Sequence, residues 1–230
     1  MHFKKTAVFS FLLSLTAPVM AVSDISLLEK KVAVDAGKLG EQLIGERRPA
    51  GNGLPAHLRF TFDEDRLSEN IVFRERQLLI IPVADYRATF QKKDRAIFDL
   101  QIKALRGIIY GHFGRDVRLI PVFPPPPGEQ SFHARTMSMP FNGGAGVRFI
   151  TRFGAEKTLS TNDNIFYTFQ GLSRDGKTLV CFFHPIGVRN LPISEDASIS
   201  GMFMDEQDPD RFTPNLDLLD QIVLSIQIKK

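Results

Sequence analysis

The sequence predicts an α+β fold in which an antiparallel sheet is joined by one main helix at about residues 92–110 and by a short C-terminal helix that precedes a last strand. Several strand-like segments follow one another without a helix between each pair, unlike the strand-helix-strand repeat of a parallel sheet. The turn signals Asn142-Gly143-Gly144 and Asp175-Gly176 separate the later segments. They are typical of hairpins and favour strands joined by short connections.

The first 21 residues have the pattern of a cleavable signal peptide. Lys4 and Lys5 precede an apolar run over residues 7–15, and Val19-Met20-Ala21 fits a signal-peptidase site. The apolar run is about half of the roughly 20 residues that a membrane-spanning helix needs. We therefore expect a mature chain that begins at about Val22, does not span a membrane and works outside the cytoplasm, in a periplasm or in the medium.

The next part of the chain, residues 22–56, is a polar N-terminal segment that ends in a loop, and its first half fits helix and strand equally. A single α+β domain is predicted over residues 57–230. It opens with a strand at residues 57–62, where apolar and polar side chains alternate. A second strand at residues 78–81 is a continuous apolar run, typical of a central strand, and Pro82 ends it.

The strongest helical pattern follows. Apolar residues recur at helical spacing between polar ones, at Phe98, Ile102, Leu105 and Ile109. This predicts the main helix over residues 92–110. Four consecutive prolines at 124–127 lack backbone donors and predict a stiff, extended connector.

The second half of the chain reads as consecutive strands and one more helix. Alternation predicts strands at residues 132–139, 147–153 and 165–169. The hairpin signal at Asp175-Gly176 predicts that residues 178–183 form a strand that pairs back. Thr213-Pro214 has the residues of a helix start and predicts a helix over residues 216–220. Alternation over residues 222–228 predicts the last strand.

Composition excludes some classes of function. The 29 Lys and Arg residues nearly balance the 26 Asp and Glu residues, and without Lys4 and Lys5 the balance is 27 against 26. Because a nucleic-acid-binding protein needs a concentrated basic surface, no nucleic-acid partner is predicted. The single cysteine, Cys181, cannot form an internal disulfide and lies in an apolar run, so we interpret it as a small buried side chain. The 20 phenylalanines predict a Phe-packed core.

Two histidines in strand segments are the weak candidates for catalysis. If the strands of His133 and His184 are neighbours, the imidazoles could meet, with Asp175 as a carboxylate partner. The sequence has none of the spacings of zinc sites and no nucleophile elbow. Structural histidines are therefore the favoured interpretation, and no cofactor is predicted.

An acidic loop and a set of arginines are weak candidates for binding. Asp205, Asp208 and Asp210 offer oxygen ligands of the kind that calcium takes, although the loop lacks the glycine of an EF-hand. Arg135, Arg148 and Arg152 lie in strand segments and could form a basic stripe on one sheet face that binds an anionic ligand or partner. A solvated loop and a solvated sheet face are the favoured alternatives.

Two longer segments, at residues 146–153 and at residues 166–177, resemble motifs of a family of uncharacterised extracytoplasmic bacterial proteins. Residues 146–153, GVRFITRF, match its G-V-R-[YF]-[LI]-T motif, and residues 166–172, FYTFQGL, followed by DGK at 175–177, match its second motif. Shorter matches cover residues 55–62, the P-V-x-[ED]-[YF] turn at 82–86, residues 131–134 and residues 212–225. The closing helix and strand are also similar to the PsbP-like fold. The resemblance implies an extracytoplasmic protein, with no activity attached to it.

The leading interpretation of function is a non-catalytic module that binds a partner protein or an envelope component, because no catalytic constellation stands out. A hydrolase or metal-dependent enzyme using His133 and His184 is the first alternative. A carrier of a small apolar ligand in a Phe-lined pocket is the second. The enzyme predicts converging imidazole and carboxylate groups, the carrier predicts an apolar cavity, and the binding module predicts an exposed patch.

Overall fold

A seven-stranded antiparallel sheet forms the centre of the fold, which a computed structural model describes for residues 28–39, 42–62, 75–111, 119–155 and 157–229. The strands are β1 (Val32–Ala33), β2 (Leu43–Arg48), β3 (His57–Phe62), β4 (Gln77–Pro82), β5 (Glu129–Phe141), β6 (Gly144–Gly154), β7 (Phe166–Ser173), β8 (Thr178–Pro185), β9 (Gly187–Val188), β10 (Phe212–Thr213) and β11 (Gln227–Ile228). The α-helices are α1 (Val83–Thr89), α2 (Arg95–Ile109), α3 (Ala197–Asp205) and α4 (Leu216–Ser225). The predicted signal peptide, residues 1–21, lies outside the described residues.

The strand order of the main sheet is β2-β3-β4-β8-β7-β6-β5, and every neighbouring pair is antiparallel. The predicted α+β class with an antiparallel sheet is confirmed. The main helix predicted over residues 92–110 is α2, and the short C-terminal helix is α4, which precedes β11. Within the described part of the chain, no helix is long and apolar enough to cross a membrane.

The central strands are covered on both faces. Every residue of β4 and β7 is buried. Helices α1 and α2 pack on one face, and α3 and α4 pack on the other. Two covered faces explain why β4 is a continuous apolar run, since neither face of a sandwiched strand meets water.

The face under α1 and α2 is packed with aromatic rings. Phe98 of α2 lies edge-on to Tyr86 of α1 at 5.3 Å and to Phe123 at 5.8 Å between ring centroids. The segment before the prolines is also tied to the sheet, because the Phe123 amide donates to Gln170 Oε1 at 2.9 Å. A buried side-chain acceptor in β7 thereby satisfies a backbone donor that has no strand partner.

The opposite face packs against α4. Apolar residues at helical spacing, among them Leu219, Ile222 and Val223, are fully buried against the sheet. The Asn215 side chain caps the helix by accepting the Asp217 amide at 2.8 Å. Burying each such apolar side chain contributes about 1.5–3 kcal/mol, so this helix face holds α4 on the sheet.

The last strand predicted over residues 222–228 is mostly wrong. Helix α4 continues to Ser225, and only Gln227–Ile228 forms a strand. The apolar residues of this segment satisfy both a two-residue and a helical repeat. Tertiary packing decides between them, because the helix buries Ile222 and Val223 together and leaves Leu224 52% exposed.

Two helices were not predicted from the sequence. Helix α1 begins directly after Pro82, where the family motif indicated a turn. Helix α3 contains serines and a glycine, which are poor helix formers. A local signal for α3 does exist, because the Asp196 carboxylate accepts the Ser198 amide at 2.9 Å as an N-cap.

The N-terminal segment joins the fold in two places. Strand β2 pairs with β3 along its whole length and forms one edge of the sheet. Strand β1 pairs with β11, so residues near the two ends of the described chain lie side by side. The segment predicted as polar and unassigned therefore contributes an edge strand and a contact with the C-terminal strand.

Candidate functional site

A cavity of about 530 Å³ opens at the end of the sheet where the β5–β6 and β7–β8 turns lie. Gly143 of the first turn and residues 173–175, 177 and 178 of the second form part of its wall. Strands that run antiparallel in sequence place alternate turns at the same end of a sheet, so these two hairpins meet there. Leu28 and Lys31 before β1, and Ile228 and Lys229 at β11, complete the wall.

Backbone hydrogen bonds hold this wall together. The Ile228 amide donates to the Asn142 carbonyl at 2.7 Å, and the Lys229 amide donates to the Lys31 carbonyl at 3.0 Å. The Arg174 amide donates to the Gly143 carbonyl at 2.8 Å and joins the two turns. The cavity is thus framed by main-chain contacts among four separate segments.

Two glycines make this close packing possible. Gly143 has φ +113°, and a Cβ there would collide with the carbonyl oxygen of Ile228. Gly176 has φ +71°, and a Cβ there would collide with the Arg106 guanidinium. Both positions lie in the left-handed region, which glycine adopts without steric cost. The hairpin turn predicted at Asp175-Gly176 is confirmed by the connection from β7 to β8.

The cavity is strongly basic. Four of its lining residues are cations, namely Lys31, Arg174, Lys177 and Lys229, and Asp175 is the one carboxylate among the described residues that line it. Among the described residues, no carboxylate lies within ion-pair distance of any of the four cations. We call this space the cationic cavity.

Asp175, predicted as a carboxylate partner for catalysis, is engaged in its own turn. Its Oδ1 accepts the Ser173 hydroxyl at 2.6 Å and the Lys177 amide at 3.1 Å. The Ser173 hydroxyl and then the Lys177 amide hold the pKa of Asp175 below its ordinary value. The carboxylate is therefore ionised at neutral pH and stabilises the turn. No histidine is among the described residues that line the cavity.

The two candidate histidines do not come together. His184 lies on the face covered by α3 and α4, edge-on to Phe62 at 5.7 Å, and its Nδ1 is 2.7 Å from the Pro185 carbonyl. His133 lies on the opposite face, with its Nδ1 3.1 Å from the Thr136 hydroxyl. Strands β6 and β7 separate their strands, so the pair cannot share a metal or a proton.

The candidate calcium loop is also dispersed. Asp205 ends α3, and its carboxylate accepts the backbone amide of Arg135. Asp208 and Asp210 are exposed; Asp208 precedes a 3-10 turn at Pro209–Arg211, and Asp210 lies within that turn. Across the described ranges, no group of three or more His, Cys, Asp or Glu residues is placed to hold a metal ion.

The predicted arginine stripe is buried rather than solvated. Arg148 and Arg152 lie on the same face of β6, with 4% and 0% of their surface exposed. Arg148 Nε lies 3.3 Å from Asp220 Oδ1, and Arg148 also donates to the backbone carbonyl of Arg135, which sits in a β-bulge with φ +53°. Arg152 donates to backbone and hydroxyl oxygens. Arg148 and Arg152 are therefore part of the protein interior. The basic residues that line the cavity are Lys31, Arg174, Lys177 and Lys229.

Sequence reasoning missed most of the cationic cavity. The DGK segment at 175–177 and the glycine turn at 142–144 were both recognised as turns, and the antiparallel order of their strands is the signal that places them at one end of the sheet. Lys31 and Lys229 had no such signal, because they reach the cavity through the two-residue pairing of β1 with β11.

Comparison with protein-family models, curated proteins and solved structures finds no match to this chain. The resemblance to the uncharacterised extracytoplasmic family, and to the PsbP-like fold, therefore stays a prediction. The cavity and its charges are the basis for a functional proposal.

Proposed function

We propose that the chain is a non-catalytic binding module that works outside the cytoplasm and holds an anionic group of a partner or envelope component in the cationic cavity. The observation that carries this proposal is the set of four cations around one open space. Asp175, the one carboxylate in the described part of the wall, already accepts two hydrogen bonds within its own turn.

Electrostatics favours an anion in this space. Cations that share a cavity repel one another, and a bound anion replaces that repulsion with attraction. Hydrogen bonds from Lys or Arg to a carboxylate or phosphate are charge-assisted and contribute about 1.5–3 kcal/mol each. Arg174 and Lys177 are exposed at the turn, so they can meet an entering ligand.

The alternatives from the sequence gain less support. The hydrolase or metal-dependent enzyme depended on His133 and His184, which lie on opposite faces of the sheet. The carrier of an apolar ligand depended on a Phe-lined pocket, and the described residues that line the cationic cavity include no phenylalanine. The phenylalanines are used instead in the two cores.

An NMR titration with inorganic phosphate tests the proposal. We expect saturable shifts of the amides of Gly143, Arg174 and Lys177, and a loss of affinity of at least about tenfold in a variant that combines Arg174→Gln with Lys177→Gln. Lys103→Gln, at an exposed position on α2 away from the cavity, is the matched control and leaves the affinity unchanged. Equal binding by the double variant and the control would overturn the proposal.

Export is tested separately. When the full chain is expressed in a Gram-negative bacterium, we expect the protein in the periplasmic fraction with Val22 at its N-terminus, as the signal-peptide pattern predicts. A chain that keeps Met1 and stays in the cytoplasmic fraction would contradict the extracytoplasmic assignment.

A further inference from the structure

The cationic cavity combines two kinds of surface. Its apolar residues lie deep, since Leu28 is 9% exposed and Pro82 is buried, and Ile228 is half-buried beside them. Three of its cations, at positions 174, 177 and 229, are exposed. Most of the surface that faces the space is carbon.

A small inorganic anion would use only part of this space. The volume of about 530 Å³ lies within the range of cavities that hold drug-sized organic ligands, and it is much larger than a phosphate ion. An anion bound at the cations alone leaves half-buried Ile228, and the small exposed parts of Leu28 and Pro82, in contact with water. Covering that apolar surface is favourable, so a ligand with an apolar body is bound more tightly than its head group alone.

We propose that the ligand is an amphipathic acid, in which a carboxylate or phosphate head group is joined to an alkyl or ring body of a size that fills the cavity. The head group binds Arg174 and Lys177 at the turn, and the body covers Leu28, Pro82 and Ile228. This inference rests on the proposed anion-binding function and names its ligand class.

The same geometry discriminates against neutral amphiphiles. A neutral ligand that fills the cavity removes water from the cations without supplying a counter-charge, and desolvation of an unpaired charge is costly. An acid of the same shape supplies that charge. The cavity is therefore selective for the head group as well as for the apolar body.

Calorimetric titration of the purified protein with three probes tests this. Octyl phosphate, methyl phosphate and octanol share parts of one structure, and each is used below its aggregation concentration. We expect octyl phosphate to bind at least about 100-fold more tightly than methyl phosphate, because each buried methylene contributes a factor of roughly four. Octanol is expected to give no measurable heat.

Two variants separate the two surfaces. Ile228→Ser is expected to weaken octyl phosphate binding roughly five- to tenfold and to leave methyl phosphate binding unchanged, since it removes only apolar contact. Lys177→Gln is expected to weaken both phosphates. Leu224→Ser, at a residue 52% exposed and outside the cavity, is the matched control for the change to serine. Thermal unfolding of each variant verifies that it is folded.

The outcomes separate this inference from the proposed function. Equal affinity for octyl and methyl phosphate overturns the amphipathic ligand and leaves anion binding intact. No binding of either phosphate overturns both. Octanol binding as tight as octyl phosphate overturns the requirement for an acid. Co-sedimentation with phosphatidic acid vesicles, compared with phosphatidylcholine vesicles, assigns the acid to a membrane lipid, and octyl phosphate binding without co-sedimentation assigns it to a free molecule.

Discussion

The positive charges of two buried arginines on β6 are compensated in different ways. Arg148 and Arg152 lie on the same face of β6, and both are almost completely buried. Arg148 lies beside the Asp220 carboxylate, at 3.3 Å. Arg152 donates to the Thr158 carbonyl and to the Ser131 hydroxyl, both neutral oxygens. In the described structure the charge of Arg148 is compensated by a carboxylate, and the charge of Arg152 by the dipoles of a carbonyl and a hydroxyl group.

The surroundings of the two arginines differ accordingly. Burial raises the pKa of Asp220, while Arg148 and the Tyr167 hydroxyl, which donates to Asp220 Oδ1 at 2.8 Å, act in the opposite direction. Burial also raises the pKa of Tyr167 well above its ordinary value. For Arg152, burial lowers the pKa. The comparison teaches that the stability lost when a buried arginine is removed depends on its partner. A buried carboxylate left without a cation costs more than neutral oxygens left without a donor.

The largest effect is expected from Arg148→Met. It leaves Asp220 buried beside no cation, which costs about 3–5 kcal/mol of unfolding free energy in urea titrations. Asp220→Leu is expected to cost a similar amount, and the double variant less than the sum, because it leaves neither charge unpaired. Strictly additive losses would show that the pair is not coupled.

Tyr167→Phe is expected to cost about 1.5–3 kcal/mol, because it removes a hydrogen bond to a buried carboxylate. Tyr110→Phe is the matched control. Its ring is 54% exposed, so its effect should lie within about 0.5 kcal/mol of zero. A loss no larger than that of the control would remove Tyr167 from the Arg148–Asp220 unit.

Arg152→Met tests whether the second buried arginine contributes as much to stability as Arg148. It removes a buried charge whose hydrogen-bond acceptors among the described residues are neutral oxygens, and it leaves those oxygens without their donor. The two effects oppose each other, so we expect a change within about 1.5 kcal/mol in either direction. A loss as large as that of Arg148→Met would mean that neutral acceptors compensate a buried guanidinium as fully as a carboxylate does.

The smallest effect is a difference in pH dependence between two carboxyl groups. The pKa of Asp220 is raised mainly by burial, so its contribution to stability falls as pH rises from its unfolded pKa of about 3.9 through the folded value. The pKa of Asp175 is lowered by Ser173 and Lys177, so its contribution is present above about 3.9 and is lost as pH falls through the folded value.

Urea unfolding between pH 3 and pH 7 compares the two. The destabilisation caused by Asp220→Asn should shrink as pH rises, and the destabilisation caused by Asp175→Asn should grow. The same slope for both variants would contradict the assignment of opposite shifts.

Local patterns predicted most of the fold. The strand at residues 57–62 and helix α2 each show a clear repeat of apolar residues within their own segment. Both could therefore be recognised without knowledge of any distant residue. Residues 222–228 satisfy two periodicities at once, and only packing on the sheet decides between them. The partners of Arg148 and Arg152 depend on where α4 docks and where Thr158 lies, which no spacing in β6 encodes.

The candidate site was predictable only in part, for the same reason. Its two turns were recognised from Gly and Asp residues with local conformational preferences. Its remaining cations come from segments far apart in the chain. Asp35 and Ser225, which exchange two hydrogen bonds of 3.0 Å near the β1–β11 pair, are 190 positions apart.

The pairing of β1 with β11 links the charge of the cavity to the contact between the N-terminal and C-terminal segments. A ladder of two residues on each side is short, and its fraying would separate Lys31 from Lys229 and remove two of the four cations at once. A ligand bound across the gap opposes this opening by mass action. Amide hydrogen exchange at these two positions would then slow with ligand concentration, so that occupancy of the cavity could be followed at the β1–β11 pair.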